Sequence, residues 1–159
     1  MKSRHIKAVG LALLALFGLS GAVNAQTQAA PGTTVKIPAD KITYVSSGIK
    51  QHGGEIFLGA AYGNAQTGKH GTFMKFTPGF HSLLHSHTND YYAVVIKGIM
   101  SNPEKGEKDS PLPPGSYWYQ KGGEPHTTNC LSTKEECIIF LVSDGLFDAQ
   151  VLEKEEVLS

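Results

Sequence analysis

The sequence has little charge and no excess of either sign. Only 18% of its 159 residues are charged, and 14 Lys and Arg are balanced by 14 Asp and Glu. Nucleic-acid-binding domains carry a basic face or stripe, so this balance predicts no nucleic-acid partner. The chain also lacks the G-x-x-x-x-G-K-[ST] phosphate loop and the G-x-S-x-G nucleophile elbow. These absences disfavour P-loop nucleotide chemistry and the serine hydrolases built on that elbow.

Long hydrophobic runs are also missing. The apolar run at residues 8–19 is too short for a spanning helix. It follows three basic residues and precedes the small residues of SGAVNA, which is typical of a secretory signal peptide at residues 1–25, cleaved after Ala25. A retained interfacial anchor is the alternative. Cleavage leaves 11 Lys and Arg against 14 Asp and Glu, a net charge of −3. We expect a periplasmic or secreted protein without a membrane attachment.

Cysteine is scarce. The chain has two, Cys130 and Cys137, separated by the polar insert LSTKEE and flanked by the strand-like runs HTTNC and CIIFLVS. A hairpin would place the two thiols opposite each other, and an oxidising compartment would let them form a disulfide. Two reduced, packed thiols are the alternative.

The sequence contains no internal repeat and no long amphipathic helix. Its 18 glycines and 8 prolines favour many turns and short strands. Residues 26–38 are predicted to be a linker, residues 39–159 a single domain, and only the tail at 146–159 has a helical pattern. YYAVVIKG is continuous and β-branched, as for a strand that is buried on both sides or lines a barrel. The other strand-like runs are KITYV, GGEIFLGAAYG, GTFMKFTPG, SYWYQ, HTTNC and CIIFLVS. About eight short strands predict an all-β barrel or jelly roll.

Histidines, by contrast, are concentrated in one stretch. His81, His85 and His87 lie within seven residues, just before YYAVVIKG. Residues two apart in a strand face the same side, so His85 and His87 should point together, about 7 Å apart at the backbone. His81 has the same parity and can face the same space. His126, after a Gly-Gly turn and a proline, can close a metal site from an adjacent strand.

At these positions the sequence resembles the cupin superfamily. The first cupin motif is Gly, five residues, His-x-His, three or four residues, Glu, six residues, Gly; here it reads Gly79, His85, His87, Tyr91 and Gly98. The second is Gly, five residues, Pro-x-Gly, two residues, His, three residues, Asn; here it reads Gly115, Lys121, Gly123, His126 and Cys130. The resemblance covers about residues 40–145. It implies a cupin-type double-stranded β-helix (jelly-roll β-barrel) that holds a metal through the three motif histidines.

The departures from the motifs bear on chemistry. Tyr91 replaces the motif Glu, which leaves three neutral imidazoles without a carboxylate. Such a site suits Fe(II), which we favour, or Zn, Ni or Cu better than Mg or Ca, with Mn a further candidate. Some cupin dioxygenases are similar in using three His and no Glu. Tyr91 is the predicted catalytic residue, as a metal ligand or a hydroxyl donor to substrate; an aromatic that only fills space is the alternative. Asp90 is either a turn residue or, after a one-residue register shift, an inward ligand.

The remaining predictions concern ligand and function. Tyr117 and Tyr119 are predicted, with His81, to bind a small apolar or aromatic substrate at the barrel mouth, although packing between sheets would also explain them. His52 and His70 lie beside glycines and are predicted loop residues.

Two function classes follow. One is a metal-dependent, dioxygenase-like enzyme acting on a small organic molecule, and the other is a non-catalytic cupin that binds or senses a small molecule or metal. A cupin that has lost its metal and keeps its histidines as core residues is the third interpretation. A small molecule is the expected partner, and a homodimer is the candidate assembly.

Overall fold

The fold comes from a computed structural model that describes residues 34–152. The predicted signal peptide at 1–25 and most of the predicted linker lie outside the described residues. Residues 34–38 have no regular structure, and a short 3-10 turn at Ala39–Lys41 opens the folded part. Within residues 34–152, no helix has the length and hydropathy needed to cross a bilayer.

The described chain is built from short strands, as predicted for an all-β jelly roll. The ten strands are β1 Val45–Gln51, β2 Gly54–Gly63, β3 His70–Phe76, β4 His85–Ser86, β5 Tyr91–Lys97, β6 Met100–Ser101, β7 Tyr117–Gln120, β8 Asn129–Cys130, β9 Cys137–Ser143 and β10 Gln150–Val151. Glycines with positive φ terminate several of them, for example Gly63 as the last residue of β2 and Gly98 just after β5, where residues with a Cβ would be strained.

One six-stranded antiparallel sheet dominates the fold, in the order β1-β2-β3-β9-β5-β7. Two separate two-stranded sheets, β4 with β10 and β6 with β8, complete the fold. In the large sheet β9 lies between β3 and β5, so that Phe73 is opposite Phe140, and Phe140 is opposite Val94. This topology joins strands that are far apart in sequence, such as β3 and β9.

Burial alternates along the central strands, which defines the core. On β5 the side chains of Tyr91, Ala93 and Val95 are buried, whereas those of Tyr92 and Val94 are 47% and 41% exposed. The prediction that YYAVVIKG lines the interior is therefore right for every second residue. The interpretation as a strand buried on both sides is wrong, because only one face of the sheet packs inward. Full burial of a large apolar side chain contributes about 1.5–3 kcal/mol to folding.

Three other local predictions need correction. KITYV is not the first strand: β1 begins at Val45, after the 3-10 turn. The tail is not helical up to Leu152, because Gln150–Val151 forms β10 and pairs with β4; residues 153–159 lie outside the described part. HTTNC and CIIFLVS do not form a hairpin, since β8 pairs with β6 while β9 pairs with β3 and β5.

Cys130 and Cys137 are joined by a disulfide, and both are fully buried. It links β8 of a small pair to β9 of the large sheet. The bridged residues are 7 apart in sequence, and closing so short a loop should stabilise the fold by about 2–3 kcal/mol.

The disulfide gives a first prediction. The double variant Cys130→Ala, Cys137→Ala should lose about 2–3 kcal/mol of unfolding free energy in a urea titration. A reductant should weaken the unmutated protein by a similar amount and leave the variant unchanged. Equal stability of the oxidised protein and the variant would contradict a stabilising role.

Candidate metal centre

Main-chain pairing brings His85 and His126 face to face. The amide of His85 donates to the carbonyl of His126 at 3.0 Å, and the amide of His126 donates back at 2.9 Å. His85 belongs to β4, and His126 follows the turn at Gly122 and Gly123, as the motif spacing predicts. His87 lies two residues after His85, so its side chain returns to the same side.

The three imidazoles converge. Their ring centroids are 4.4 Å apart for His85 and His126, 4.9 Å for His85 and His87, and 5.2 Å for His87 and His126. One nitrogen from each ring lies within 4.8 Å of the other two. The residues His85, His87 and His126 are 8%, 4% and 0% exposed. This cluster could hold a metal ion.

The second nitrogen of each ring has a matching environment. In all three histidines, Nδ1 lies against a main-chain carbonyl oxygen. These pairs are His85 with Leu83 at 2.9 Å, His126 with Glu124 at 3.0 Å, and His87 with Asp148. A carbonyl oxygen only accepts, so each Nδ1 carries the proton and each Nε2 presents a lone pair. Metal-bound histidines are held in this way, with the non-ligating N–H donated to a backbone or carboxylate oxygen. The donor set therefore fits a metal.

Burial keeps these rings neutral. Desolvation lowers the pKa of His87 to about 3, helped by the neighbouring His85. It lowers the pKa of His126 to about 4, again with a contribution from His85. The pKa of His85 is also lowered by burial, against the opposing bond to the Leu83 carbonyl. Because all three pKa values are lowered, the rings are neutral at neutral pH. Neutral imidazole is the form that binds a metal.

Tyr91 stands where the cupin motif has Glu, and its hydroxyl reaches the cluster. The oxygen lies 3.4 Å from Nε2 of His126, accepts from Trp118 Nε1 at 3.3 Å and donates to Asn102 at 3.4 Å. The residue is 2% exposed, and burial raises the pKa of its phenol to about 12. Tyr91 therefore stays protonated and can donate a hydrogen bond beside the histidines.

A polar network continues from Tyr91 into the interior. Asn102 Oδ1 accepts from Thr128 at 2.8 Å, and its amide donates to Gln120 at 2.9 Å. Each of these side chains has a partner, which is what burial of polar groups requires. The network fixes the orientation of the phenol.

The segment from Leu146 to Asp148 covers the cluster, a role that sequence reasoning missed. The ring of Phe147 stacks on His87 with centroids 4.4 Å apart, and its centroid lies 5.6 Å from that of the Tyr91 ring in an edge-on arrangement. The carboxylate of Asp148 accepts from the amide and hydroxyl of Thr88 at 2.8 and 2.6 Å. Its carbonyl holds His87. These residues lie outside both cupin motifs, in the tail for which the sequence pattern predicts a helix.

Four predicted site residues lie elsewhere. The carboxylate of Asp90 faces outward, where it accepts from the Gly122 amide at 2.7 Å and the Tyr119 hydroxyl at 2.9 Å; these two bonds lower its pKa. Tyr119 and Tyr117 are 45% and 58% exposed on the outer face of β7. His81 is exposed, so its parity with His85 does not bring it to the cluster. Because side chains alternate along β7, Trp118 points inward, whereas Tyr117 and Tyr119 point outward.

The two predicted loop histidines differ from each other. His52 is exposed in the turn after β1 and has a φ of 48°. His70 is 1% exposed, which corrects the loop prediction. It is the first residue of β3 and shares the inward face with Thr72, whose hydroxyl lies 2.8 Å from its Nδ1. Burial lowers the pKa of His70, and the centroid of its ring lies 6.0 Å from that of Phe147 in an edge-on arrangement.

Similarity to known proteins concerns the domain family and the fold. The family model described as "Domain of unknown function (DUF4437)" matches residues 59–130, the segment that contains all three histidines of the cluster. No curated protein matches the chain.

Many solved structures share the fold. The polyketide cyclase RemF from Streptomyces resistomycificus is 14% identical, with a TM-score of 0.62 over 78% of this chain and 89% of its own. A cupin-2 domain from Rhodospirillum rubrum is 13% identical, with a TM-score of 0.59 over 77% and 82%. A "predicted oxalate decarboxylase" from Thermotoga maritima is 19% identical, with a TM-score of 0.56 over 70% and 100%. At such low sequence identity, the similarity shows a shared fold and nothing about function.

Proposed function

We propose that this chain, which has the cupin fold, is an exported metal-binding protein that acts as a three-histidine, dioxygenase-like enzyme on a small organic molecule. The observation that supports a bound metal is the main-chain carbonyl oxygen beside Nδ1 of each of His85, His87 and His126, from which a shared tautomer follows. All three Nδ1 protons are donated to main-chain carbonyls, which leaves three Nε2 lone pairs directed at one another.

The ligand set favours a divalent transition metal, of which Fe(II) is our candidate. The cluster consists of three neutral imidazoles, which suit Fe, Zn, Ni and Cu better than Mg or Ca. Asp90, the nearest carboxylate in sequence to the motif Glu position, is held outward by Gly122 and Tyr119. Three protein ligands leave coordination positions open, which is the arrangement of catalytic rather than structural sites.

The chain's own groups would orient and protect a bound substrate. A bound divalent ion would supply Lewis-acid and redox chemistry to substrate oxygens and O2. The Tyr91 hydroxyl donates to Asn102 in the structure, and it would turn this one proton toward an anion bound at that position, since its pKa of about 12 keeps it protonated. Phe147 and Trp118 exclude water from the same region, which strengthens polar interactions there. Among the structural neighbours, the polyketide cyclase and the "predicted oxalate decarboxylase" carry names that imply small organic substrates.

Closure of the site favours a second candidate, a non-catalytic cupin that binds or senses a small molecule or metal. His126 and Tyr91 are 0% and 2% exposed, so a ligand would have to displace part of the covering segment. Oxygen uptake distinguishes the two. The Fe(II)-loaded protein should consume O2 in the presence of a screened panel of small organic acids and phenols, and His126→Ala should not. Tight ligand binding without turnover would support the sensor.

The Tyr91 hydroxyl gives a prediction specific to this site. Tyr91→Phe should keep about one metal per chain but bind azide to the metal-loaded protein roughly tenfold more weakly, because one hydrogen bond to an anion is lost. Absorption titration of the Co(II)- or Fe(II)-loaded protein measures the affinity. Tyr92→Phe, on the exposed face of the same strand, is the matched control and should change nothing. Equal azide affinity in both variants would remove Tyr91 from ligand binding.

Export is part of the proposal and rests on the sequence alone. The mature chain should begin at Gln26 and lie in the periplasm or the medium. N-terminal sequencing of the exported protein tests this, and a chain that still begins at Met1 would contradict it.

A further inference from the structure

One buried histidine outside the metal cluster has a ring nitrogen that is not satisfied. His70 is 1% exposed, and its Nε2 has no hydrogen-bond partner among residues 34–152. Nearly all buried polar side-chain atoms in native proteins are paired, because burial without a partner costs free energy. The cluster of His85, His87 and His126 does not use this atom, so another role has to account for it.

The unpaired nitrogen of His70 is a hydrogen-bond donor. The other ring nitrogen, Nδ1, lies 2.8 Å from the hydroxyl oxygen of Thr72. Within the described residues this hydroxyl has no other acceptor, so it donates its proton to Nδ1. Burial lowers the pKa of His70, which keeps the ring neutral with a single proton. That proton is therefore on Nε2.

The ring of Phe147 connects His70 to the cluster. It lies edge-on to the His70 ring with centroids 6.0 Å apart, and it stacks on His87 with centroids 4.4 Å apart. Among residues 34–152, no ring of the cluster contacts His70 directly. Phe147 thus bridges the unpaired donor and the cluster.

The sheet register brings His70 and Tyr91 to the same end of the interior. His70 on β3 lies opposite Ser143 on β9, and the preceding residue of β9, Val142, lies opposite Tyr92 on β5. His70 and Tyr91 are therefore two strands apart at one level, about 10 Å at the backbone. Both are buried, and the Phe147 centroid lies 5.6 Å from that of Tyr91. Phe147 fills a space of one aromatic ring beside these polar side chains.

The ring of Phe147 can be displaced because few bonds hold its segment. Residues 146–149 have no regular secondary structure. The amide of Phe147 donates to the carbonyl of Ala65 at 2.7 Å, and the side chain of Asn89 donates to the carbonyl of Leu146 at 2.9 Å, where it is exposed to water. Segments with few buried contacts and exposed hydrogen bonds open at low free-energy cost.

We propose that His70 is a specificity residue that selects a planar, single-ring organic acid with an oxygen on its far edge. The ligand ring replaces that of Phe147 on the face of His87, its carboxylate lies at the cluster, and the far oxygen accepts from Nε2 of His70. The ligand class rests on the proposed function, in which the cluster binds a small organic molecule. A buried, unpaired donor favours a ligand that carries the matching acceptor over an analogue that lacks it.

The test compares 4-hydroxybenzoate with benzoate, which lacks the far oxygen. Calorimetric titration of the Zn-loaded protein measures both affinities without turnover. The parent should bind 4-hydroxybenzoate about five- to tenfold more tightly than benzoate, the value of one hydrogen bond. The double variant His70→Leu, Thr72→Val should reduce this ratio to about one, since it replaces the polar pair with apolar side chains of similar size. Met74→Leu, an apolar exchange farther along the inward face of β3, is the control and should keep the parent ratio.

Stability separates ligand selection from a structural role. The double variant should unfold at the same or a higher urea concentration than the parent, because an unpaired buried donor is removed together with its partner. Lower stability with an unchanged affinity ratio would make His70 a structural residue and overturn the proposal. If the double variant fails to fold by circular dichroism, His70→Met replaces it with the same expected ratio. His70→Gln, which keeps an amide donor, should retain part of the preference.

Phe147→Ala tests the position of the ligand ring. The ligand then has no ring to displace, so both probes should bind at least about threefold more tightly, with an unchanged ratio between them. Unchanged or weaker binding would place the ligand elsewhere and overturn the proposal.

Repeating the titrations on metal-free protein distinguishes this proposal from the proposed function. Affinity that falls without Zn, with a ratio that does not depend on His70, overturns the role of His70 and leaves the metal site in place. Affinity that is indifferent to Zn, with a ratio that depends on His70, supports the role of His70 and contradicts the metal site. A parent that binds neither probe at about 10 mM overturns the ligand class.

Discussion

Alanine at position 85, 87 or 126 is expected to remove most of the bound metal. Each change leaves two imidazoles, and we expect affinity for Fe(II) or Zn to fall by at least about a hundredfold, since even the loss of an outer hydrogen bond costs 10–100-fold. Metal per chain should drop from about one to a small fraction after gel filtration. The chain should stay folded, because the main core of Phe76, Val95, Ile139 and their neighbours is apolar.

Two histidines outside the cluster provide the controls. His81→Ala changes an exposed residue, and His52→Asn keeps a side chain that tolerates the positive φ of that turn. Both should retain a full equivalent of metal. His70→Ala is a poor control, because His70 is buried and its ring contacts Phe147. Full metal retention in all three cluster variants would refute the three-histidine centre.

The metal-free protein is expected to lose stability as the pH falls below about 6.5. In the unfolded chain histidines titrate near their usual pKa of about 6.5, whereas burial holds the pKa of His87 at about 3 and that of His126 at about 4. Between these values the unfolded state binds more protons, so the stability is complete above about pH 6.5 and declines toward the lower pKa values. At pH 5 the cost is about 2 kcal/mol for each histidine.

Urea titrations of the metal-free protein at pH 7.5 and pH 5 measure this effect. His87→Gln should show a clearly smaller difference between the two pH values than the parent, and His52→Asn should show the same difference as the parent. The window lies above the range in which carboxylates titrate, so it separates the histidines from general acid unfolding. An unchanged unfolding free energy between the two pH values would contradict the buried, neutral state of the cluster.

Much of the site could be predicted because its residues are marked by short sequence patterns. His85 and His87 are two residues apart, so any extended backbone points them the same way, and the motif spacing supplied His126. The place of His126 beside His85, however, depends on main-chain pairing across about forty residues of sequence. The alternation that placed Trp118 and the two tyrosines on opposite faces was also readable, but which face is inward depends on the sheet that β7 joins.

What was missed depends on long-range contacts. Phe147 and Asp148 reach the cluster only because β10 pairs with β4, across more than sixty residues of sequence. Asp90 is turned outward by Gly122 and Tyr119, partners that lie about thirty residues away. His70 is buried because it is the first residue of β3 and its side chain lies on the inward face of that strand. The residue at which a strand begins is poorly determined by local sequence pattern. No propensity or spacing rule encodes these pairings.

Elemental analysis of the unmutated protein, purified from its own compartment beside His126→Ala, tests the metal centre most directly. The account predicts about one transition-metal ion per chain, with iron favoured, and a small fraction of that in the variant. It would be contradicted by an unmutated protein that holds no metal as purified and takes up none from Fe(II), Zn or Mn solutions, or by a variant that retains a full equivalent.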